Sequence, residues 1–102
     1  MKIYNKLVRD KIPDIIKEEG RNVKTKVLNE NEYIEELNKK LQEEVSEYLK
    51  DNNVEELVDI VQVIYSLLDV RKFSMEKFEN MRQQKNINNG AFKERLFLIE
   101  AD

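Results

Sequence analysis

A chain of 102 residues, 38% charged and 40% hydrophobic, suits one small helical domain with a narrow core and a salt-laced surface. It has no cysteine, which excludes disulfides and thiolate metal sites, and no histidine, which removes the commonest general base; two glycines and one proline leave few turns for an all-β fold. A formal net charge of −3 argues against nucleic-acid binding, while the lack of a long apolar run or signal-peptide pattern argues against membrane spanning and export, so the expected location is the cytoplasm.

In chain order, Met1 to Ile12 reads as an extended or irregular arm, because the residue before Pro13 is biased away from helix. Pro13 opens a short helix running to Glu19 and stopped at Gly20, a residue suited to a left-handed C-terminal position. Val23 to Leu28 alternates apolar and polar residues, as a strand or an extended connector does. From Asn31 to Lys50, Ile34, Leu37, Leu41, Val45 and Tyr48 recur at intervals of three and four, which predicts a helix with one buried face, and Asn29 with Glu32 forms a capping box at its start. Asp51-Asn52-Asn53 makes a turn into a more apolar helix from Val54 to about Arg71. Ser74 caps a further helix to about Gln84, with Met75, Phe78 and Met81 on its inner side, and the Asn86 to Gly90 stretch ends it. Leu96-Phe97-Leu98-Ile99 either pairs as a strand or packs on helices. The expected fold is all-α, a bundle of about four helices in a single domain over residues 1–102, with short extended segments near 23–28 and 95–99.

The chemistry gathers in two acidic couplets, Glu44/Glu47 within Glu43-Glu44-Val45-Ser46-Glu47 and Glu56/Asp59 within Glu56-Leu57-Val58-Asp59. Residues three apart share a helix face, so two facing helices bring four carboxylates together. In a glutamate-rich chain Glu-x-x-Glu is usually a solvated face, although Glu44 and Glu47 each precede a predicted core residue, Val45 and Tyr48. Glu56, three after Asn53, also fits a helix cap. Asp59 is harder to explain as decoration, since it lies in Leu57-Val58-Asp59-Ile60-Val61 and a covered carboxylate needs a cationic partner or a metal. Four oxygen donors suit Mg2+, whereas zinc and copper favour nitrogen or sulfur. Such a cage points to phosphate substrates and hydrolysis by metal-activated water.

At these couplets the chain resembles the all-α nucleoside triphosphate pyrophosphohydrolases, the MazG-like superfamily, whose signature is Glu-Glu-x-x-Glu followed by Glu-x-x-Asp on the next helix. Eight residues separate the two parts here, which implies an abrupt turn. The resemblance extends to a phosphoribosyl-ATP pyrophosphohydrolase-like subgroup through the arm Asn5-Lys6-Leu7-Val8-Arg9-Asp10-Lys11-Ile12-Pro13 and the segment from Lys85 to Gly90-Ala91-Phe92, where Ala91 replaces a second glycine. It implies that Glu44, Glu47, Glu56 and Asp59 bind Mg2+, for which Mn2+ can substitute, with Glu43 a further ligand or a group behind the ligands. It also implies cleavage of a nucleoside triphosphate between the α and β phosphates, and a homodimer or higher assembly in which Ile60, Ile64, Leu67 and Leu68 contribute to the interface. Lys6, Arg9, Lys11, Arg82 and Lys85 are the candidate phosphate contacts, Arg9 and Lys85 foremost. Two other functions compete with this one: a phosphoribosyl-ATP pyrophosphohydrolase of histidine biosynthesis, and a non-catalytic helical interaction module whose carboxylates are merely solvated.

Overall fold

The computed structural model describes residues 2–102 and holds four helices, α1 (Ile12–Glu18), α2 (Glu30–Asp51), α3 (Val54–Val70) and α4 (Met75–Asn89), with no strand among the described residues. The all-α expectation is met. None of the described helices is long and apolar enough to cross a membrane. The chain divides into two compact units, one ending at Lys72 and one spanning Phe73–Asp102.

In the first unit, the arm from Lys2 to Lys11 carries no helix or strand, as its sequence predicts; Met1 lies outside the described residues. Helix α1 starts at Ile12, one residue before the predicted Pro13, because Pro13 then sits in the first turn, where its missing N–H costs no helical bond. It ends with Gly20 at φ +79°, the Gly20 N–H donating to the Lys17 carbonyl at 2.9 Å and the Arg21 N–H to that of Ile16 at 3.3 Å. These two bonds satisfy carbonyls that the helix itself leaves open. The Val23 to Leu28 segment is a connector without strand pairing, and Val27 is fully exposed.

Helix α2 opens on the predicted capping box. The Glu32 N–H donates to the Asn29 side chain at 2.9 Å, and the Asn29 N–H donates to the Glu32 carboxylate at 3.2 Å. The link to α3 is two residues long: Asn52 takes a left-handed conformation at φ +52°, and the Asn53 side chain caps α3 by accepting from the Glu55 N–H at 3.0 Å. So short a link folds α2 and α3 into a helical hairpin whose inner faces pack together.

Leu37 and Val63 are the only buried apolar side chains among the described residues, with Ile34, Leu41, Tyr48, Ile60, Ile64 and Leu67 half-buried around them. Val45, predicted to lie in this seam, is exposed, and Glu44 occupies the seam instead at 6% exposure. The rows 37, 41, 44 and 48 advance by four, three and four residues, so a carboxylate fills a place that periodicity alone gives to a hydrophobe.

In the second unit, Ser74 caps α4 by accepting from the Lys77 N–H at 3.1 Å. The helix runs past the predicted Gln84 to Asn89, because chain reversal waits for Gly90 at φ +83°, whose N–H donates to the Asn86 carbonyl at 2.8 Å. Ala91 is not among the residues with left-handed backbone, so an alanine at this position carries no backbone strain. Met75 and Met81, expected on an inner side, are exposed, and Phe78 is half-buried. From Arg82 to Asn89 the helix is polar around nearly its whole circumference, which leaves it no second row to bury. Leu96 to Ile99 forms no strand and is not covered, each side chain being 80–88% exposed.

Candidate metal centre

The hairpin places the two acidic couplets level with each other. At 1.5 Å rise per residue, Glu44 lies roughly 12 Å before the link and Asp59 roughly 9 Å after it. Glu44, Glu56 and Asp59 each contribute one carboxylate oxygen to a group whose oxygens all lie within 4.8 Å of one another. Three residues of the proposed four-carboxylate cage therefore converge.

Glu44 is the anchor of this group. Its side chain is only 8% exposed, the Lys40 ammonium one turn earlier stands 3.6 Å from Oε1, and Oε2 has no hydrogen-bond partner. Burial pushes its carboxyl above the ordinary glutamate range, the Glu47 charge adds to that, and Lys40 opposes it. The carboxyl of Glu56 is raised as well, first by desolvation and then by the charges of Glu47 and Asp51. A buried carboxylate with an unpaired oxygen, facing two further acids, is a costly arrangement that a bound cation relieves.

Glu56 stands three residues after Asn53, but the cap of α3 is the Asn53 side chain accepting from the Glu55 N–H. The Glu56 backbone N–H donates to the Asn53 carbonyl at 3.0 Å while its carboxylate joins the cluster. Glu47 lies outside the cluster, although its charge acts on both Glu44 and Glu56. Glu43 turns to cations instead: Lys6 donates to its Oε1 at 3.0 Å and Lys40 stands 3.6 Å from its Oε2. Those pairings hold the Glu43 carboxyl below its usual range and the Lys6 ammonium above its own.

The arm thus crosses both helices of the hairpin. Lys6 binds Glu43 on α2, and Arg9 donates to Asp59 Oδ1 on α3 at 2.6 Å. Of the other predicted phosphate contacts, Lys11 stands exposed at the start of α1, while Arg82 and Lys85 belong to the second unit, where the Arg82 guanidinium is paired with Glu79 on its own helix. Lys40, between Glu43 and Glu44, completes the electrostatics; its signal in the sequence is the spacing of four residues to Glu44.

Every donor in the cluster is a carboxylate oxygen, the ligand type that suits Mg2+ or Mn2+, so the residues present fit the hard divalent cation expected from the sequence. No protein-family model, curated protein or solved structure matches this chain.

Proposed function

We propose that this chain is a Mg2+-dependent nucleotide pyrophosphohydrolase, which splits a nucleoside triphosphate between its α and β phosphates into a monophosphate and pyrophosphate. The observation that carries the proposal is the burial of Glu44, whose Oε2 has no hydrogen-bond partner and whose carboxylate shares a cluster with those of Glu56 and Asp59. The choice of bond rests on the resemblance of the Glu43–Glu47 and Glu56–Asp59 motifs to the MazG-like pattern.

In this reading Glu44, Glu56 and Asp59 hold the cation, and Glu47 adds negative charge beside them. When bound, the cation supplies Lewis-acid activation of water and neutralises phosphate charge. Lys6 and Arg9 bring positive charge to the edge of the cluster, where donors stabilise phosphoryl oxygens. Lys40 offsets part of the negative charge on α2 and holds Glu43 and Glu44 in register. With no histidine in the chain, proton transfer falls to carboxylates and water.

The same reading includes self-association as a homodimer or higher assembly. Its support is the outer row of α3, where Val54 is 72% exposed, Val58 61%, Val61 41% and Tyr65 43%. This row is the most exposed apolar surface of α3, and Ile60, Ile64, Leu67 and Leu68, the interface residues that the resemblance implies, are half-buried beside it.

A panel of canonical and modified nucleoside triphosphates, assayed for pyrophosphate release with Mg2+ and with Mn2+, tests the activity. Cation-dependent release from at least one member is the expected result. Absence of turnover across the panel, together with no thermal shift at millimolar Mg2+, overturns the proposal.

A further inference from the structure

The arm's two ion pairs differ in kind. Lys6 binds Glu43, which is outside the carboxylate cluster, so this contact pins the arm to α2 without occupying a cluster oxygen. Arg9 binds Asp59, which is inside the cluster, at 2.6 Å through Oδ1. A cation drawn to Glu44, Glu56 and Asp59 meets a guanidinium already seated on one of its three carboxylates.

We propose that Arg9 is an exchangeable counter-ion: it holds Asp59 while the cluster is free of cation and transfers to the phosphates of an incoming polyphosphate. The site then takes up a divalent cation together with its phosphate ligand in preference to the cation alone. This inference rests on the metal reading above. Four features support it.

The cluster is more than a patch of acids, because the Glu44 side chain is over nine-tenths buried and its Oε2 has no partner. The Arg9–Asp59 pair is half open to solvent, at 55% and 38% side-chain exposure against 44% and 30% for Lys6–Glu43, and exposed pairs are weak enough to exchange; only the exchange of Arg9 frees a cluster carboxylate. A guanidinium and a divalent cation on one carboxylate repel each other, so each weakens the other's hold on Asp59. Finally, the planar fork of arginine matches phosphate oxygens as well as carboxylate, which gives the displaced side chain a second partner within reach of the pinned arm.

The roles of Lys6 and Arg9 are therefore separate. Lys6 keeps the arm over the hairpin, and Arg9 changes partner. A residue that only contacted phosphate would leave binding of the free cation untouched. A residue that only braced the fold would, when removed, weaken every ligand.

Calorimetric titration of the full chain and of its Arg9→Ala and Arg9→Lys variants tests this, first with Mn2+ alone and then with a preformed Mn2+–pyrophosphate complex. For Arg9→Ala the expected result is opposite signs: Mn2+ alone binds roughly three- to tenfold tighter, while the complex binds roughly tenfold weaker. Arg9→Lys keeps the charge and loses the fork, so Mn2+ alone binds within about twofold of the parent while the complex still binds weaker. Unchanged or weaker Mn2+ binding in Arg9→Ala overturns the exchange and leaves the metal reading standing. Absence of Mn2+ binding in the parent and both variants overturns the metal reading and the exchange with it.

Discussion

The two faces of α3 are inverted relative to an ordinary surface helix. Its inner face, turned toward α2, carries Glu56 and Asp59 in its first two turns before it reaches Val63. Its outer face runs Val54, Val58, Val61 and Tyr65, spaced four, three and four residues apart, all of them exposed. In a self-sufficient hairpin the charges would be outside and the valines inside. The inversion teaches that the fold gives up core on one side to assemble a charged cluster, and leaves apolar surface on the other. Burying a Val or Leu side chain is worth about 1.5–3 kcal/mol, so covering the outer row recovers several kcal/mol that the narrow Leu37–Val63 core does not supply.

The strongest test of the inner face is to remove one carboxylate. Asp59→Asn or Glu44→Gln should lower pyrophosphate release at least ~100-fold while far-ultraviolet circular dichroism stays helical, because each removes charge that the proposed cation needs. Full activity in both variants would separate the cluster from the reaction. On the outer face, Val58→Asp places a charge where a partner copy is expected. Sedimentation should show the assembly dissociating with a Kd raised about 100-fold or more, since desolvating an unpaired charge costs several kcal/mol. A parent chain that sediments as a monomer at all concentrations would instead show that the valine row has no partner of its own kind.

Much of this comparison was legible in the sequence, and the rest was hidden for definite reasons. Helices α2 and α3 declare themselves through apolar periodicity, and the Asn29–Glu32 and Ser74 caps through local side-chain chemistry, because both signals act within one or two turns. Burial of Glu44 was not legible. Positions 44 and 45 both border the seam, and hydrophobic patterning awards the place to the valine. Asp59 likewise looked the more enclosed acid from its apolar neighbours, yet its side chain is 38% exposed because those neighbours form the uncovered row. The Arg9–Asp59 and Lys6–Glu43 pairs join residues 50 and 37 positions apart, a separation that leaves no periodic trace. The Lys40–Glu44 spacing is visible, but pairs at that spacing are so common on helices that it singles out nothing.

A subtler perturbation of the inner face asks what the buried acid costs when no cation is bound. Glu44→Met keeps the side chain's length and removes the unsatisfied carboxylate, so the cation-free protein should gain about 1–2 kcal/mol. For a chain of this size that corresponds to a rise of roughly 4–16 °C in melting temperature. The variant should also lose the Mg2+-dependent rise. A variant that melts below the parent would mean that the Lys40 contact and the packing of the glutamate stem outweigh the buried charge.

The smallest expected effect is a pH dependence whose sign follows from the same burial. Glu44 and Glu56 have carboxyls raised above the ordinary range, so between the unfolded and folded values the native chain holds more protons than the unfolded one. Stability of the cation-free protein should therefore fall as pH rises through that window, and mild acidification from neutrality should raise the melting temperature. Glu43 acts in the opposite sense and lower on the scale: its carboxyl is depressed by Lys6 and Lys40, so the stability it contributes above the usual carboxylate range is lost as pH falls through its own value. For these three groups together, stability is greatest between the Glu43 window, below the ordinary glutamate range, and the Glu44 and Glu56 window above it. Millimolar Mg2+ should raise the curve most near neutrality and least in acid, because protons and the cation compete for the same oxygens. Melting curves from pH 4 to 8 with and without Mg2+ measure both trends. The cation-free rise on acidification should become smaller in Glu44→Gln, where one of the two groups that take up the proton is gone, and a rise of unchanged size in that variant would assign the dependence to other carboxylates.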